Sequence, residues 1–407
     1  MDYAALSDQY PTPYYAYDAA IIRARVAELA DAFKGQKVTL HYAVKANDNP
    51  AVIAIAAKAG IGACLVSAGE MKRAMKGGMK PADMLMNGVG KSDADIAFAL
   101  ENGIGQLNVE SIPELNVIAD IAKSMGVAAN IGVRINPEIT ASTHTNIATG
   151  RRSDKFGILI EDLPEVKKLI ASRPELNWVG LSCHIGSQIH DVEELRAGYK
   201  VMADLFAREL DAGAKLDRLD LGGGFGVSYK PDQIGGDAYS KPRDFAPVVQ
   251  DITKPLQDRG IRIQLEPGRY VAAEAGTLVT RVLFVKDSGG YKFVIVDSAM
   301  NDLLRPALYQ AYHPIKLGRT SGEKEVTCVI AGPVCESSDV FARDRMLPGD
   351  IKRGDVLEIG FAGAYGAAMS SQYNARPRLA EVLVDGNSHT LIRRAFTSEE
   401  LDEITCS

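Results

Sequence analysis

Cysteine is scarce in this 407-residue sequence, and none of its 5 cysteines belongs to a CxxC motif. They are Cys64, Cys183, Cys328, Cys335 and Cys406. An odd number of widely spaced cysteines is typical of reduced thiols in a cytoplasmic enzyme, and it argues against a zinc site or a disulfide framework. We therefore expect no metal centre.

The sequence also lacks an excess of charge of either sign and lacks long apolar runs. Its 46 Lys and Arg residues against 52 Asp and Glu residues give a net charge of −6. This balance indicates no nucleic-acid partner and no membrane partner. The most apolar stretch, 51–66, is interrupted by Lys58 and falls short of the roughly 18 residues that a membrane span needs. The segment 1–18 has neither the basic nor the apolar region of a signal peptide.

Short apolar runs rich in β-branched residues recur along the first two thirds of the sequence. The first five begin at residues 38, 61, 84, 106 and 129, at intervals of 23, 23, 22 and 23 residues. Three more begin at 178, 218 and 261, which makes eight predicted strands. Helical patterns lie between them, over 49–58, 69–76, 92–100, 111–122, 163–171, 192–210 and 244–259. A unit of about 23 residues accommodates one strand, one helix and two short loops.

Strand–helix alternation repeated eight times predicts an α/β fold with a (β/α)8 TIM barrel of parallel strands, which we place at 23–275. A leucine-rich repeat is the alternative for this period, but its LxxLxLxxN pattern is absent. The remaining segment, 276–407, has alternating or β-branched runs separated by turn clusters, and it predicts a mostly antiparallel β domain. These runs are 277–285, 291–296, 325–330, 356–359, 379–384 and 390–394. A strand-like run within 1–22, Tyr14–Tyr17, is expected to join that domain.

In a barrel of this kind the chemistry lies at the carboxyl ends of the strands. Polar residues or glycines follow all eight predicted strands: Lys45, Ser67, Asn87, Glu110, Arg134 with Asn136, His184, Gly222–Gly224 and Glu266. Lys45 ends an apolar run, so we expect its amine to be partly desolvated, which lowers its pKa and favours Schiff-base formation. Taken alone, Lys45 is more simply a lysine that extends its amine into water, and His184 is more simply a structural histidine.

A glycine-rich turn and a carboxylate complete this predicted rim. Gly222–Gly226 follows the seventh strand, where such barrels often bind phosphate through backbone N–H groups. Glu266 would repel a phosphate but suits a protonated ring nitrogen, unless it simply pairs with Arg269. A lysine, a phosphate cradle and a carboxylate together indicate pyridoxal phosphate, which acts as an electron sink for a carbanion.

Several longer motifs extend this interpretation over 11–394. They are YAVKAN at 42–47, KFGI at 155–158, CHIGSQ at 183–188, LDLGGGFG at 219–226, EPGRY at 266–270, LLRPALY at 303–309, GPVCESSD at 332–339 and AGAYGAAMSSQYNARPR at 362–378. With them the sequence resembles the fold-type III pyridoxal-phosphate-dependent decarboxylases, whose barrel is like that of alanine racemase.

The resemblance implies a role for each matching residue. It makes Lys45 the Schiff-base lysine, stacks His184 on the cofactor ring and places Glu266 at the pyridine nitrogen. The phosphate is expected to contact Ser187, Gly223, Gly224, Pro267, Gly268, Arg269 and Tyr365. Substrate is expected to contact Arg269, Arg305, Tyr309, Glu336 and Tyr365. Cys335 would protonate the carbanion after CO₂ leaves, and Cys335 with Glu336 would reach the site of the partner subunit in a homodimer.

The substrate that the resemblance implies is meso-2,6-diaminopimelate, decarboxylated to L-lysine. Its two carboxylates suit the guanidinium forks of Arg269 and Arg305, and an ammonium group suits Glu336. A thiol that donates a proton needs a normal or raised pKa, which burial would give Cys335.

Three alternatives remain open. One is a sister decarboxylase for carboxynorspermidine, ornithine or a carrier-bound amino acid. Another is a racemase, although a cationic residue usually faces the pyridine nitrogen there. The last is a non-catalytic regulator of the same fold, which we expect to have lost the lysine or the glycines.

Overall fold

The computed structural model describes residues 3–138, 152, 154–230 and 241–405. Cys406 lies outside these ranges. The described residues fall within two compact units, which we call the barrel unit (24–227 and 237–270) and the β unit (1–23, 228–236 and 271–407). Among the helices of the described ranges, none is both long enough and apolar enough to span a bilayer.

The strands and helices are as follows. The strands are β1 (Tyr14–Asp18), β2 (Val38–Ala43), β3 (Gly62–Leu65), β4 (Met84–Met86), β5 (Gln106–Val109), β6 (Ala129–Asn136), β7 (Ile158–Leu159), β8 (Leu176–Ser182), β9 (Arg218–Asp220), β10 (Arg262–Leu265), β11 (Gly276–Ser288), β12 (Tyr291–Val296), β13 (Ile315–Leu317), β14 (Glu325–Ala331), β15 (Val340–Pro348), β16 (Val356–Ile359), β17 (Ala380–Asp385) and β18 (Ser388–Arg393). The helices are α1 (Tyr3–Leu6), α2 (Ala19–Ala32), α3 (Pro50–Lys58), α4 (Ala68–Lys76), α5 (Asp93–Glu101), α6 (Ile112–Met125), α7 (Leu163–Ser172), α8 (Val192–Asp211), α9 (Pro242–Asp258), α10 (Arg269–Ala272), α11 (Arg305–Tyr309) and α12 (Ser398–Thr405).

The barrel unit contains a closed parallel barrel. Its strands are hydrogen-bonded in the order β2-β3-β4-β5-β6-β8-β9-β10, and β10 returns to pair with β2. The short strand β7 lies outside this ring and pairs with β6. All eight predicted strands are present, so the predicted TIM barrel is confirmed. Because every strand runs in the same direction, the residues that follow them collect at one end of the barrel.

Side-chain caps fix where the barrel helices begin. The Asn49 side chain accepts a hydrogen bond from the Ala51 N–H, and Ser67 accepts one from Glu70. Ser111 likewise accepts the Glu114 N–H, while the Glu114 carboxylate accepts the Glu110 N–H at 2.6 Å. Each cap satisfies an N–H group that has no partner inside the helix, so each strand end passes directly into its helix.

The β unit is a sheet in the order β15-β14-β12-β11-β1-β17-β18, with β16 pairing to β11 and β13. Two pairings, β1 with β17 and β12 with β14, are parallel, and the others are antiparallel. The predicted mostly antiparallel domain is therefore confirmed, and β1 does join it. A cluster that includes Leu6, Tyr14, Val279, Val356 and Val382 forms part of its core.

Candidate active site

Lys45 lies at the carboxyl end of the barrel, in a single 3-10 turn (Val44–Ala46) that follows β2. The side chain is exposed, so the desolvation that we expected for its amine is not found. The reason is geometric, because the strand ends at Ala43 and the turn that follows presents Lys45 at the rim. Its positive charge reaches the neighbouring strand ends, where it acts on the ionisation of Cys64 and His184.

His184 follows β8 and is half-buried. Burial lowers its pKa well below the ordinary value for histidine, and the charges of Lys45 and Arg134 lower it further. The N–H group of Gly223 donates to Nδ1 at 3.3 Å. The ring is therefore neutral, and with Nδ1 accepting, its proton is assigned to Nε2.

The glycine turn after β9 is packed so closely that side chains are excluded. A Cβ on Gly223 would collide with the carbonyl oxygen of Glu266. Gly224 has a φ of +102°, and its Cβ would lie 2.7 Å from the carbonyl oxygen of Gly186. Only glycine fits these positions, which leaves bare backbone amides as the ligands that the turn can offer.

Glu266, which follows β10, is buried and hydrogen-bonded. The Asn87 Nδ2 donates to Glu266 Oε1 at 2.6 Å and contacts Cys64 Sγ at 3.2 Å. Asn108 in turn donates to Asn87 Oδ1 at 2.8 Å. The sequence placed Asn87 at a strand end without giving it a role, and the structure makes it the residue that orients Glu266.

The EPGRY segment contacts two other predicted cofactor-binding elements. The Pro267 carbonyl oxygen accepts the Ala43 N–H at 3.1 Å, next to the Lys45 turn. Arg269 is buried, and its Nη2 donates to Ser187 Oγ at 3.1 Å. This segment therefore connects the lysine turn with the serine of CHIGSQ.

Glu110 and Arg134 form a buried ion pair at 2.7 Å across β5 and β6. Glu110 also accepts the N–H groups of Gly88 at 2.8 Å and Gly157 at 3.2 Å. The Arg134 guanidinium lies 4.9 Å from the ring centroid of Phe156, in the KFGI motif. The pair thus holds three rim loops in place, a structural role that sequence reasoning did not assign.

The β unit carries the remaining predicted residues. Arg305 begins α11 and is buried; its Nη1 donates to His313 Nε2 at 2.8 Å, and its guanidinium lies 4.4 Å from the ring centroid of Tyr229. Tyr309 ends the same helix and is half-buried. Tyr365 is half-buried with a φ of +57°. The imidazole of His313 and the ring of Tyr229 therefore help to orient the Arg305 guanidinium.

Cys335 and Glu336 lie together on the loop between β14 and β15, and both are exposed. The burial that we expected for Cys335 is therefore not found in the single chain. The Tyr373 hydroxyl donates to Glu336 Oε1 at 3.3 Å, and Asn374 Oδ1 accepts the Cys335 N–H at 3.5 Å. Buried Asp339 accepts the Val334 N–H at 2.7 Å and fixes the base of the loop.

The donor set of the barrel rim fits pyridoxal phosphate. It contains an exposed amine for the aldehyde, a carboxylate for a protonated ring nitrogen, a neutral imidazole, and a glycine cradle that any Cβ would fill. Residues 19–273 match the family described as "Pyridoxal-dependent decarboxylase, pyridoxal binding domain". The barrel and its rim are therefore those of a pyridoxal-phosphate-dependent decarboxylase.

Relatives that match over nearly their full length identify the family more specifically. The chain is 41% identical to a diaminopimelate decarboxylase of Zymomonas mobilis over 97% of this chain and 93% of that protein. It is 41% identical to one of Neisseria meningitidis, over 99% and 96%. Among solved structures, diaminopimelate decarboxylase from Helicobacter pylori complexed with L-lysine matches with a TM-score of 0.92 and 39% identity, covering 99% of each chain. The chain belongs to the diaminopimelate decarboxylase family.

These comparisons confirm the resemblance that the motifs indicated, and with it the pyridoxal phosphate cofactor. They also confirm that the chain is an enzyme of the carboxy-lyase class. Sequence reasoning missed Asp220 and Asn108, which are buried polar residues inside barrel strands. For Asp220 the available signal was its charge, because it stands within the otherwise apolar start of LDLGGGFG.

Proposed function

We propose that the chain decarboxylates meso-2,6-diaminopimelate to L-lysine and CO₂, the last step of lysine synthesis through diaminopimelate. The observation that carries this proposal is the identity of about 40% with diaminopimelate decarboxylases over nearly the whole of both chains. The relative from Helicobacter pylori was solved with L-lysine, the product of this reaction.

The barrel rim is proposed to hold the cofactor. Lys45 would take its aldehyde, His184 would stack on its ring, and Glu266 would face its ring nitrogen. The phosphate would be bound by Ser187, Gly223, Gly224, the 267–269 backbone and Tyr365. When bound, pyridoxal phosphate supplies an electron sink for the pair left at the α-carbon as CO₂ departs. The buried Glu266 carboxylate, oriented by Asn87, suits a protonated ring and therefore favours a decarboxylase over a racemase.

The substrate is proposed to be held by groups of complementary charge. Arg269 and Arg305 each offer a guanidinium fork to one carboxylate. Tyr309 and Tyr365 would line the same site, and Glu336 would pair with the ammonium of the carbon that does not react. The Cys335 thiol would give its proton to the α-carbon, which closes the reaction.

We further propose a cytoplasmic homodimer in which Cys335 and Glu336 complete the site of the partner subunit. Both side chains are exposed in the single chain, as a loop that faces a partner requires. Mixing the inactive variants Lys45→Ala and Cys335→Ala tests this directly. Random exchange of subunits gives half heterodimers with one intact site each, so activity returns to about a quarter of wild type. No recovery after proven exchange would place both residues in one subunit's site.

The substrate is tested by purified protein with pyridoxal phosphate and a panel of amino acids. CO₂ release is measured for meso-diaminopimelate, ornithine, carboxynorspermidine and a carrier-bound amino acid, and lysine is identified by mass spectrometry. We expect meso-diaminopimelate to be turned over fastest. In Cys335→Ala we expect the rate of that turnover to fall about 100-fold or more. Preference for another member of the panel would replace the proposal with the sister activity.

A further inference from the structure

Strand β5 brings two amide side chains into the interior of the barrel. Gln106 and Asn108 are two residues apart, so they point to the same face of the strand, and they are 1% and 0% exposed. Asn108 Nδ2 donates to Asp220 Oδ2 on β9 at 3.1 Å. Because β5 and β9 are not neighbours in the barrel, this hydrogen bond crosses its interior. Apolar side chains would fill the space at lower cost, since a buried amide needs hydrogen bonds to offset its desolvation.

Three hydrogen bonds connect these amides to the carboxylate that is proposed to face the ring nitrogen. Gln106 Nε2 donates to Asn108 Oδ1 at 2.6 Å. Asn108 Nδ2 donates to Asn87 Oδ1 at 2.8 Å, and Asn87 Nδ2 donates to Glu266 Oε1 at 2.6 Å. This amide chain therefore leads from β5, through the residue after β4, to the residue after β10, and each donor points toward Glu266.

The direction of the amide chain follows from its carboxylate end. In its proposed role Glu266 is ionised and only accepts hydrogen bonds, so Asn87 must present its NH₂ group to it. Asn87 Oδ1 then needs a donor, which Asn108 supplies, and Asn108 Oδ1 is left to accept from Gln106. The two ends of an amide are nearly equal in shape, so Asn108 fixes which end of Asn87 faces the carboxylate. Hydrogen bonds in a chain also polarise one another, so each donor strengthens the next.

The neighbouring strand makes room for the amide chain with a glycine. Gly132 lies opposite Asn108 in the parallel pairing of β5 with β6. A Cβ on Gly132 would collide with Asn108 Oδ1 and with Gln106 Nε2, the two atoms of the first hydrogen bond in the chain. The φ of Gly132 is not positive, so these side chains, and not the backbone conformation, are what require glycine here.

We propose that Gln106, Asn108 and Asn87 are positioning residues that together hold Glu266 as the hydrogen-bond acceptor for the pyridine nitrogen of the cofactor. Asn108 is the central member, because it sets the orientation of the Asn87 amide. Gly132 supports the chain by leaving space for its first link. This inference rests on the proposed role of Glu266 and extends that role to side chains inside the barrel strands.

The test compares pyridoxal phosphate with 1-deazapyridoxal phosphate, in which a C–H group replaces the ring nitrogen. Cofactor-free protein is titrated with each compound, and the ratio of the two dissociation constants is the readout. We expect wild type to bind the natural cofactor about tenfold or more tightly, because the analogue loses a hydrogen bond to a carboxylate. In Asn108→Leu and Gly132→Ala that ratio should fall about threefold or more. General damage to the site would weaken both compounds alike and leave the ratio unchanged.

Two further variants calibrate the ratio. Gln264→Leu is the matched control, because Gln264 is a buried amide on β10 whose Nε2 lies 3.4 Å from His41 Nε2. Its ratio should equal that of wild type. Glu266→Gln removes the carboxylate itself and gives the lower limit of the ratio.

Three outcomes overturn the inference. A wild-type ratio in Asn108→Leu or Gly132→Ala, when Glu266→Gln lowers it, would show that Glu266 does not depend on the amide chain. An equal fall in Gln264→Leu would make the loss a general effect of removing a buried amide. Equal binding of both compounds by wild type would remove the proposed role of Glu266 and that of the chain with it.

Two features keep the test decisive. If Asn108→Leu does not fold, Gly132→Ala decides, because it changes neither Asn87 nor Glu266. Failure of the proposed activity is separate: the protein would then show the expected ratios and release no CO₂ from diaminopimelate.

Discussion

The buried ion pair between Glu110 and Arg134 allows a sharp test of what holds the barrel rim together. The change is Arg134→Met, which keeps much of the side-chain volume and removes the charge. The two side chains are 1% and 7% exposed, so the remaining Glu110 carboxylate has little water to replace its partner. We expect the barrel unit to lose stability because a buried charge is left unpaired.

The magnitude follows from the geometry. A separation of 2.7 Å corresponds to roughly 6 kcal/mol of attraction at an effective dielectric constant of 20. Measured losses for removing one partner of a buried pair are about 3–5 kcal/mol. Adding Glu110→Gln to Arg134→Met removes the unpaired charge and leaves one carbonyl oxygen for the N–H groups of Gly88 and Gly157. The double variant should therefore lose only about 1–3 kcal/mol.

The assay is urea unfolding of cofactor-free protein followed by tryptophan fluorescence. The chain has 1 tryptophan, Trp178, and it lies in β8 opposite Ile131 of β6. Its emission therefore reports on unfolding of the barrel unit. Trp178 lies on β8, which pairs with β6, the strand that carries Arg134. Leaving out pyridoxal phosphate keeps ligand binding from contributing to the apparent stability.

The decisive comparison is between the single and the double variant. If Arg134→Met costs less than about 1 kcal/mol, the pair contributes no more than an exposed salt bridge does. If Glu110→Gln makes Arg134→Met less stable instead of more stable, the unpaired charge is not the cause of the loss. Either result would show that the buried ion pair does not stabilise the rim as an electrostatic contact.

Three further predictions concern other groups. In native protein a thiol reagent should label the exposed Cys335, while Cys64 and Cys183 should stay unlabelled because burial raises the pKa of their thiols. Peptide mass spectrometry identifies the labelled cysteines, and early labelling of either buried thiol would contradict this prediction. Burial lowers the pKa of His41 to about 4, so the free energy of unfolding should fall by roughly 3 kcal/mol as pH falls from the ordinary histidine pKa to that value. Urea titrations at several pH values measure this loss, which should be smaller in His41→Gln. Arg305→Lys keeps the charge but loses the fork, so KM for diaminopimelate should rise about tenfold with a smaller change in kcat; an unchanged KM in the CO₂ assay would remove Arg305 from the substrate site.

Apolar runs, which are evenly spaced only for the first five, were enough to predict all eight barrel strands, because strands buried on both faces read as continuous apolar runs. The same reasoning missed β15. Its middle carries Arg343, Asp344 and Arg345, and two buried residues are followed by two exposed ones, so the alternation that marks a strand is broken. Register shifts in its pairing with β14 cause that break. The helix α2 precedes the first repeat unit, so the repeat did not indicate it.

Prediction of the site was limited in a similar way. Position at a strand end was sufficient to select Lys45, His184 and Glu266, since parallel strands in a barrel bring their ends together. The contacts among these residues depend on closure, because Asn87 and Glu266 are 179 positions apart and meet only when β10 pairs with β2. The exposure of Lys45 likewise depends on the turn that follows its strand, which the apolar run does not specify.

The placement of β1 has a consequence for how the chain folds during synthesis. Tyr14–Asp18 is synthesised before both strands that it pairs with, β11 in the antiparallel direction and β17 in the parallel direction. A ribosome releases β1 long before residues 276–385. The tyrosines of β1 therefore have no partner strand at the stage when the barrel can already form. Their apolar surface is then exposed to other chains. The nascent chain is therefore most open to association with other chains in the interval between the synthesis of β1 and that of β17.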